Sequence, residues 1–175
     1  MTNPDQNSPE FSLEISLDDL GKKPKHYRLS ANEHERKNIS ARLETPSVEK
    51  LEGEMEVRAM GAMIYVEGSL VASLTRECVA SLELMDEQVT ETFELEFTRA
   101  APADEVDPFD LDAPEIIEGD TIDLGELLVQ QLSLAMEPFP RKPDAQSLAE
   151  AYAPSENISP FAVLKGALGK SDDNQ

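Results

Sequence analysis

Positive charge is scarce in this chain. Fifteen Lys and Arg stand against 36 Asp and Glu, a formal net charge of -21, so the molecule as a whole repels phosphate and is not expected to hold nucleic acid through its overall field. Cysteine is almost missing: Cys78 alone excludes an intramolecular disulfide framework and fits a reducing compartment, with cytoplasm the expectation. No stretch of about 18 apolar residues occurs, which removes a helical membrane span. MTNPDQNSPEF has no basic region followed by an apolar run, so no signal peptide is expected.

The familiar catalytic patterns are missing too. The eight glycines are scattered and make neither Gly-x-Gly-x-x-Gly nor a Walker loop, and no Gly-x-Ser-x-Gly elbow occurs. His26 and His34 form no His-x-x-x-His pair, and with one Cys they offer no ligand spacing for zinc, so no metal and no other cofactor is expected. Asp104, Glu105, Asp107, Asp110 and Asp112 lack the order of a calcium loop and read as solvated acids. Cys78 reads as a small buried hydrophobe; a reactive thiol there would need a positive neighbour, and Arg76 is the local candidate.

What is there is unevenly charged and clearly patterned. From Ala100 to Pro140 there are eleven acids and no Lys or Arg, whereas Lys22 to Arg42 holds seven bases against Glu33 and Glu35. Period-two alternation predicts strands at Phe11–Leu17, Met55–Ala59, Ala62–Leu74 (with a bulge at Gly68) and Val89–Thr98, with a short one at Tyr27–Leu29. The Ser30/Glu33 spacing predicts a capped surface helix over Ala31–Leu43. EIIEGDTIDLGELLVQQLSLAMEPFP carries the strongest helix, with Asp123 as N-cap, Glu126 completing a capping box, and Pro138 and Pro140 as stops. Its wide apolar arc, from Leu124 through Leu128, Leu132 and Leu134, predicts extensive burial, with Gln131 inside the arc and in need of hydrogen-bond partners. A last short helix is expected from Ser159 as N-cap and Pro160 at its first turn through Phe161 and Leu164 to Leu168.

The expected class is therefore α+β: a mostly antiparallel sheet of about four to six strands packed against a buried C-terminal helix, with one surface helix near the N-terminus. The expected organisation is one domain over residues 10–169 with an acidic loop at 100–114, a disordered start at 1–9 and a disordered tail at 170–175.

Three segments, spread over most of the chain, together resemble the YceD family, bacterial and plastid proteins associated with accumulation of large-subunit ribosomal RNA. VEGSLVASLTRECVASLEL is similar to the family's strand followed by Cys-x-x-Cys-Leu-Glu, with Cys78, Leu82 and Glu83 in place and Ser81 where the second cysteine would stand. IDLGELLVQQLSLAMEPFP resembles its Asp-Leu-x-Glu helix, through Asp123, Glu126, Gln131, Leu132, Leu134 and Ala135. SPFAVLKGALGK is similar to its closing Asn-Pro-Phe-x-x-Leu helix, with Pro160 and Phe161 matching and Ser159 for the Asn. Where many relatives carry a cysteine-rich knot after the prolines, this chain has PRKPDAQSLAEAYAPSEN, so a metal role implied by that knot does not carry over.

The resemblance implies assembly rather than a reaction. The expectation is a non-enzymatic ribosome biogenesis factor, a monomer binding large-subunit rRNA precursor or a basic ribosomal protein and neither membrane nor DNA. Lys22, Lys23, Lys25, Arg28, Arg36 and Lys37 are the candidates for contact with RNA phosphates. Two alternatives stay open: a small thiol-dependent enzyme using Cys78, and an acidic nucleic-acid mimic.

Overall fold

The computed structural model describes residues 11–99, 114–117 and 119–145. Its frame is a meander of three long strands, β3 (Ser47–Met60), β4 (Met63–Glu77) and β5 (Leu84–Thr98). Along β4 the alternation is strict: Ile64, Val66, Leu70, Ala72 and Leu74 are buried on one face, while Glu67, Ser69 and Val71 take the other. Met60 and Met63 pair across a two-residue turn in which Gly61 has φ 67°, the left-handed conformation such turns demand. β2 (Lys25–Ser30) pairs antiparallel with β3, and β6 (Glu115–Ile116) pairs parallel with β5, giving the order β2-β3-β4-β5-β6. The protein is thus α+β with a mostly antiparallel five-stranded sheet, as the alternation leads one to expect.

Two helices lie on the same side of this sheet. α1 (Glu33–Arg42) packs on β3 through Ile39, and α2 (Leu124–Ala135) runs over β4 and β5, with Leu128 and Leu132 wholly buried. Gly53 makes room for α2: a Cβ there would lie 2.4 Å from Leu128 Cδ1. The charged residues of α1 cover its outer side, so its sequence shows no amphipathic stripe beyond Ile39 and Leu43.

Six local expectations change. The Phe11–Leu17 segment does not join the main sheet; β1 (Glu14–Ser16) pairs with β7 (Thr121–Asp123) in a separate two-stranded sheet beside α2, because alternation fixes which side of a strand is apolar and not its partner. The cap of α1 is Asn32, whose side chain accepts from His34 N and Glu35 N while Glu35 returns a bond to Asn32 N, a box two residues later than Ser30. Gly68 is no bulge, since pairing runs unbroken through it; the register shift falls between Val48 and Lys50. What Gly68 does is admit the Phe93 ring, whose Cζ lies 2.5 Å from where a Cβ would stand. On α2, Leu134 is 78% exposed, while Leu132, Ala135 and Met136 around it pack on the core, and Glu126 does not complete a capping box but turns to Arg42. Gln131 is half-buried, at the rim of the core rather than inside it.

The expected disordered ends, the acidic residues 100–113 and the closing helix with Pro160 and Phe161 lie outside the described residues.

Candidate functional site

Asp123 ties three pieces of chain together. Its Oδ1 accepts from Gly125 N at 2.9 Å and Glu126 N at 3.2 Å, capping α2, and also from Leu13 N at 2.9 Å, while Oδ2 accepts from Ser12 Oγ at 2.6 Å. One turn on, Glu126 receives both Arg42 Nη atoms at 2.6 Å, and this pairing, with Gln130, holds its carboxyl below the usual range. The family-motif residues Asp123 and Glu126 therefore lock α2 to β1 and α1. Arg42, which the sequence did not single out, is their partner; a contact spanning 84 residues leaves no trace in local spacing.

The second motif cluster surrounds Cys78, in the connection between β4 and β5. Leu82 N donates to Cys78 O at 2.8 Å and Cys78 N to Glu83 O at 2.9 Å, with Leu82 itself at φ 59° and exposed. The chain leaving α2 docks on this turn: Val79 N donates to Pro140 O at 3.0 Å, Lys142 N to Cys78 Sγ at 3.4 Å, and Lys142 Nζ to Glu83 Oε2 at 2.8 Å. Cys78 is completely buried, as its reading as a small hydrophobe requires. Its thiol nevertheless lies low, at about 6. The Ser81 hydroxyl beside it and the backbone N–H of Lys142 outweigh the opposing effect of burial, with the N–H groups of Ser81 and Ala80 adding to them. Ser81 Oγ is itself shut off from solvent with no hydrogen bond of its own, and the sulfur is what it faces.

Arg76, the expected positive neighbour of Cys78, is committed elsewhere. It donates to Glu87 Oε2 at 2.9 Å and to Glu137 O at 3.1 Å, both ends of that ion pair being largely buried. Neither histidine approaches the thiol. His26 stands opposite Glu56, which stands opposite Glu67, eleven residues before Cys78 along β4 and its end, a separation of about 36 Å at strand rise. His34 is exposed on α1 beside Asn38. Among the described residues no group of three or more His, Cys, Asp or Glu is placed to hold a metal ion.

The six candidate RNA contacts fall on different sides of the molecule. Lys22, Lys23 and Lys25 are exposed on the loop into β2 and at its start. Arg28 projects from the sheet face away from the helices and pairs with Glu54 at 3.0 Å. Arg36 and Lys37 sit on α1, on the helical side; Arg36 Nη1 donates to Ala31 O at 2.7 Å, and its charge helps to depress Glu49.

The sheet face opposite the helices is the feature that the sequence left unread. Cross-strand pairing arranges it in rungs: His26, Glu56, Glu67 and Glu94 in one, Arg28, Glu54, Ser69 and Thr92 in the next, and Arg58, Tyr65 and Glu96 on the other side. Between the first two runs a groove of about 520 Å³ lined by β2, β3 and β4, continued over β5 by Glu67, Gly68, Thr92, Phe93 and Glu94. Alternation announced these glutamates as solvent-facing; only the register puts three of them side by side.

Such a molecule is an α+β protein with helices on one side of its sheet and an acidic, grooved face on the other. Its affiliation comes from comparison with known families: residues 66–166, more than half of the chain, match the family described as Large ribosomal RNA subunit accumulation protein YceD, and the chain belongs to that family. The match contains the Cys78 turn, β5 and α2, and leaves out β2, α1 and with them all six candidate RNA contacts. No curated protein and no solved structure matches the chain. No helix among the described residues is long and apolar enough to cross a membrane.

Proposed function

We propose that this protein is a non-enzymatic factor in large ribosomal subunit biogenesis, a monomeric cytoplasmic α+β domain that supports accumulation of large-subunit RNA by binding rRNA precursor or a ribosomal protein, without metal or other cofactor. Membership of the YceD family over residues 66–166 carries this reading. The geometry of Cys78 supports the non-enzymatic part: a sealed thiol with no histidine near it is badly placed for nucleophilic attack, and its sulfur helps to fasten Lys142 to the β4–β5 turn, where Val79 N holds Pro140.

The test is depletion of the protein in its own cell, with quantification of precursor and mature large-subunit RNA against small-subunit RNA. A selective fall in the large-subunit species, restored by the wild-type chain and by Cys78→Ser, is expected. Unchanged RNA ratios, or failure of Cys78→Ser to restore them while folding normally, overturn the reading. The same cells decide whether the bases touch RNA: charge reversal at Lys23, Arg36 and Lys37 should weaken association with precursor subunits most at low salt and flatten its salt dependence, if those side chains neutralise phosphates.

A further inference from the structure

The open face of the sheet carries an arrangement that stability does not explain. Glu56, Glu67 and Glu94 stand directly opposite one another on three adjacent strands, and like charges in directly paired positions repel. Two side chains lean on this rung: His26 Nδ1 lies 3.2 Å from Glu56, and Arg58 Nη2 lies 3.3 Å from Glu67 while its guanidinium stacks over Tyr65. Among the described residues Glu94 has no cation. Over the three neighbouring rungs Glu54, Glu56, Glu67, Glu94 and Glu96 face Arg28 and Arg58, so the face as a whole is negative.

The shape agrees with the charge. The groove beside this rung crosses the strands from β2 to β5, three inter-strand spacings or about 14 Å, and an extended polypeptide covers that span in about four or five residues. A second groove of about 360 Å³ runs parallel to it, between the Arg28 and Ser30 rungs. Every lining residue belongs to the sheet itself. No described element covers them.

We propose that this face is a docking surface for a lysine- and arginine-bearing polypeptide segment in extended conformation, lying across the strands with alternate basic side chains over Glu56, Glu67 and Glu94. Alternation in an extended chain brings every second residue to one side about 6.8 Å apart, so a Lys-x-Lys-x-Lys stretch sets its cations over glutamates on successive or alternate strands. A nucleic acid is the wrong occupant, since the surplus charge repels phosphate and the aromatic Tyr65 is already covered by Arg58. The proposal rests on the assembly-factor reading for its biological setting and names the side of the molecule that engages a basic protein.

The test is a fluorescence-anisotropy titration of the full chain with a labelled peptide of alternating Lys and Ala, a Ser/Ala peptide of equal length, and a single-stranded RNA oligonucleotide. Amide chemical shifts of the chain with each probe are recorded in parallel. Two triple variants with the same change in net charge are compared: E56Q/E67Q/E94Q in the rung, and E14Q/E33Q/E44Q on β1 and around α1. We expect the basic peptide alone to bind, the shifts to concentrate at Glu54–Glu56, Glu67–Ser69 and Thr92–Glu94, and the rung variant to lose at least tenfold in affinity while the control stays within twofold. Equal losses in both variants reduce the effect to net charge and overturn the proposal, as do shifts elsewhere or RNA perturbing the same amides. Should the rung variant unfold, the wild-type shift map decides alone. If depletion leaves ribosomal RNA unchanged while the peptide binds as described, the assembly reading fails and the surface stands; if depletion lowers the RNA but the rung variant binds like wild type, the surface fails alone.

Discussion

The two faces of the central sheet are made from the same strands and obey opposite rules. Toward the helices, Val57, Ile64, Val66 and Ala72 have no exposed surface, and glycine appears where a neighbour needs the room, at Gly53 under Leu128 and Gly68 under Phe93. Toward solvent, glutamates are stacked in register without regard to their mutual repulsion. Burial explains the apolar residues of the first face. The second contributes little to stability through its exposed ion pairs, which are typically worth less than about 1 kcal/mol each, and so its composition points to what the protein touches.

That contrast makes the helical side the place where substitution should do most damage. Leu132→Ala, removing a side chain with no exposed surface, is expected to cost about 2–5 kcal/mol; a loss under about 1 kcal/mol in denaturant titration would mean that α2 does not seal the core. Gly125→Ala is a subtler probe, because alanine in a helix normally gains about 1 kcal/mol over glycine. Here the added Cβ would stand 2.5 Å from the Phe11 carbonyl oxygen, and backbone cannot swing aside as a side chain can. The expected net result is destabilisation of about 1–3 kcal/mol, and a variant more stable than wild type would show that the segment before β1 does not press on the helix start.

Much of the helical side was legible in advance. Period-two runs located the long strands, although their ends were underestimated: β3 begins at Ser47, where Glu49 and Lys50 mask the pattern. Asp123 was readable as a cap because capping is local. Arg42 with Glu126, and Lys142 with Cys78 and Glu83, were not, because those contacts join residues brought together only by the completed fold. The acidic rung was hidden for the same reason. Each glutamate declares itself outward-facing from its own strand, but a shift of one residue in any pairing would separate Glu67 from Glu56 or Glu94.

Between the two faces in expected effect stands the Cys78 turn, which binds the tail of α2 to the sheet. Its thiol lies at about 6 in the folded protein, against about 8.5 for a free cysteine. For a group whose folded value is depressed, the stabilisation is complete above the unfolded value and is lost as pH falls through the folded one. Wild type should therefore gain stability relative to Cys78→Ala between about pH 6 and pH 8.5, and the two should run parallel below that window. Parallel melting temperatures from pH 5 to pH 9 would mean that the sulfur stays protonated in its N–H cradle.

The smallest effect is expected on the open face. Neutralising Glu56, Glu67 and Glu94 together removes two like-charge contacts across adjacent strands, but it also removes the carboxylates that His26 and Arg58 lean on. Cross-strand charge pairs are each worth about 0.2–1 kcal/mol in either direction, and both kinds are exposed and screened by salt. The two nearly cancel, with relief of repulsion slightly ahead because Glu94 has no described cation to lose. E56Q/E67Q/E94Q is therefore expected to match or exceed wild-type stability by no more than about 0.5 kcal/mol, the excess shrinking as salt is raised. A loss beyond 1 kcal/mol would show that these glutamates hold the sheet together after all, and would erase the distinction between a face built for packing and a face built for contact.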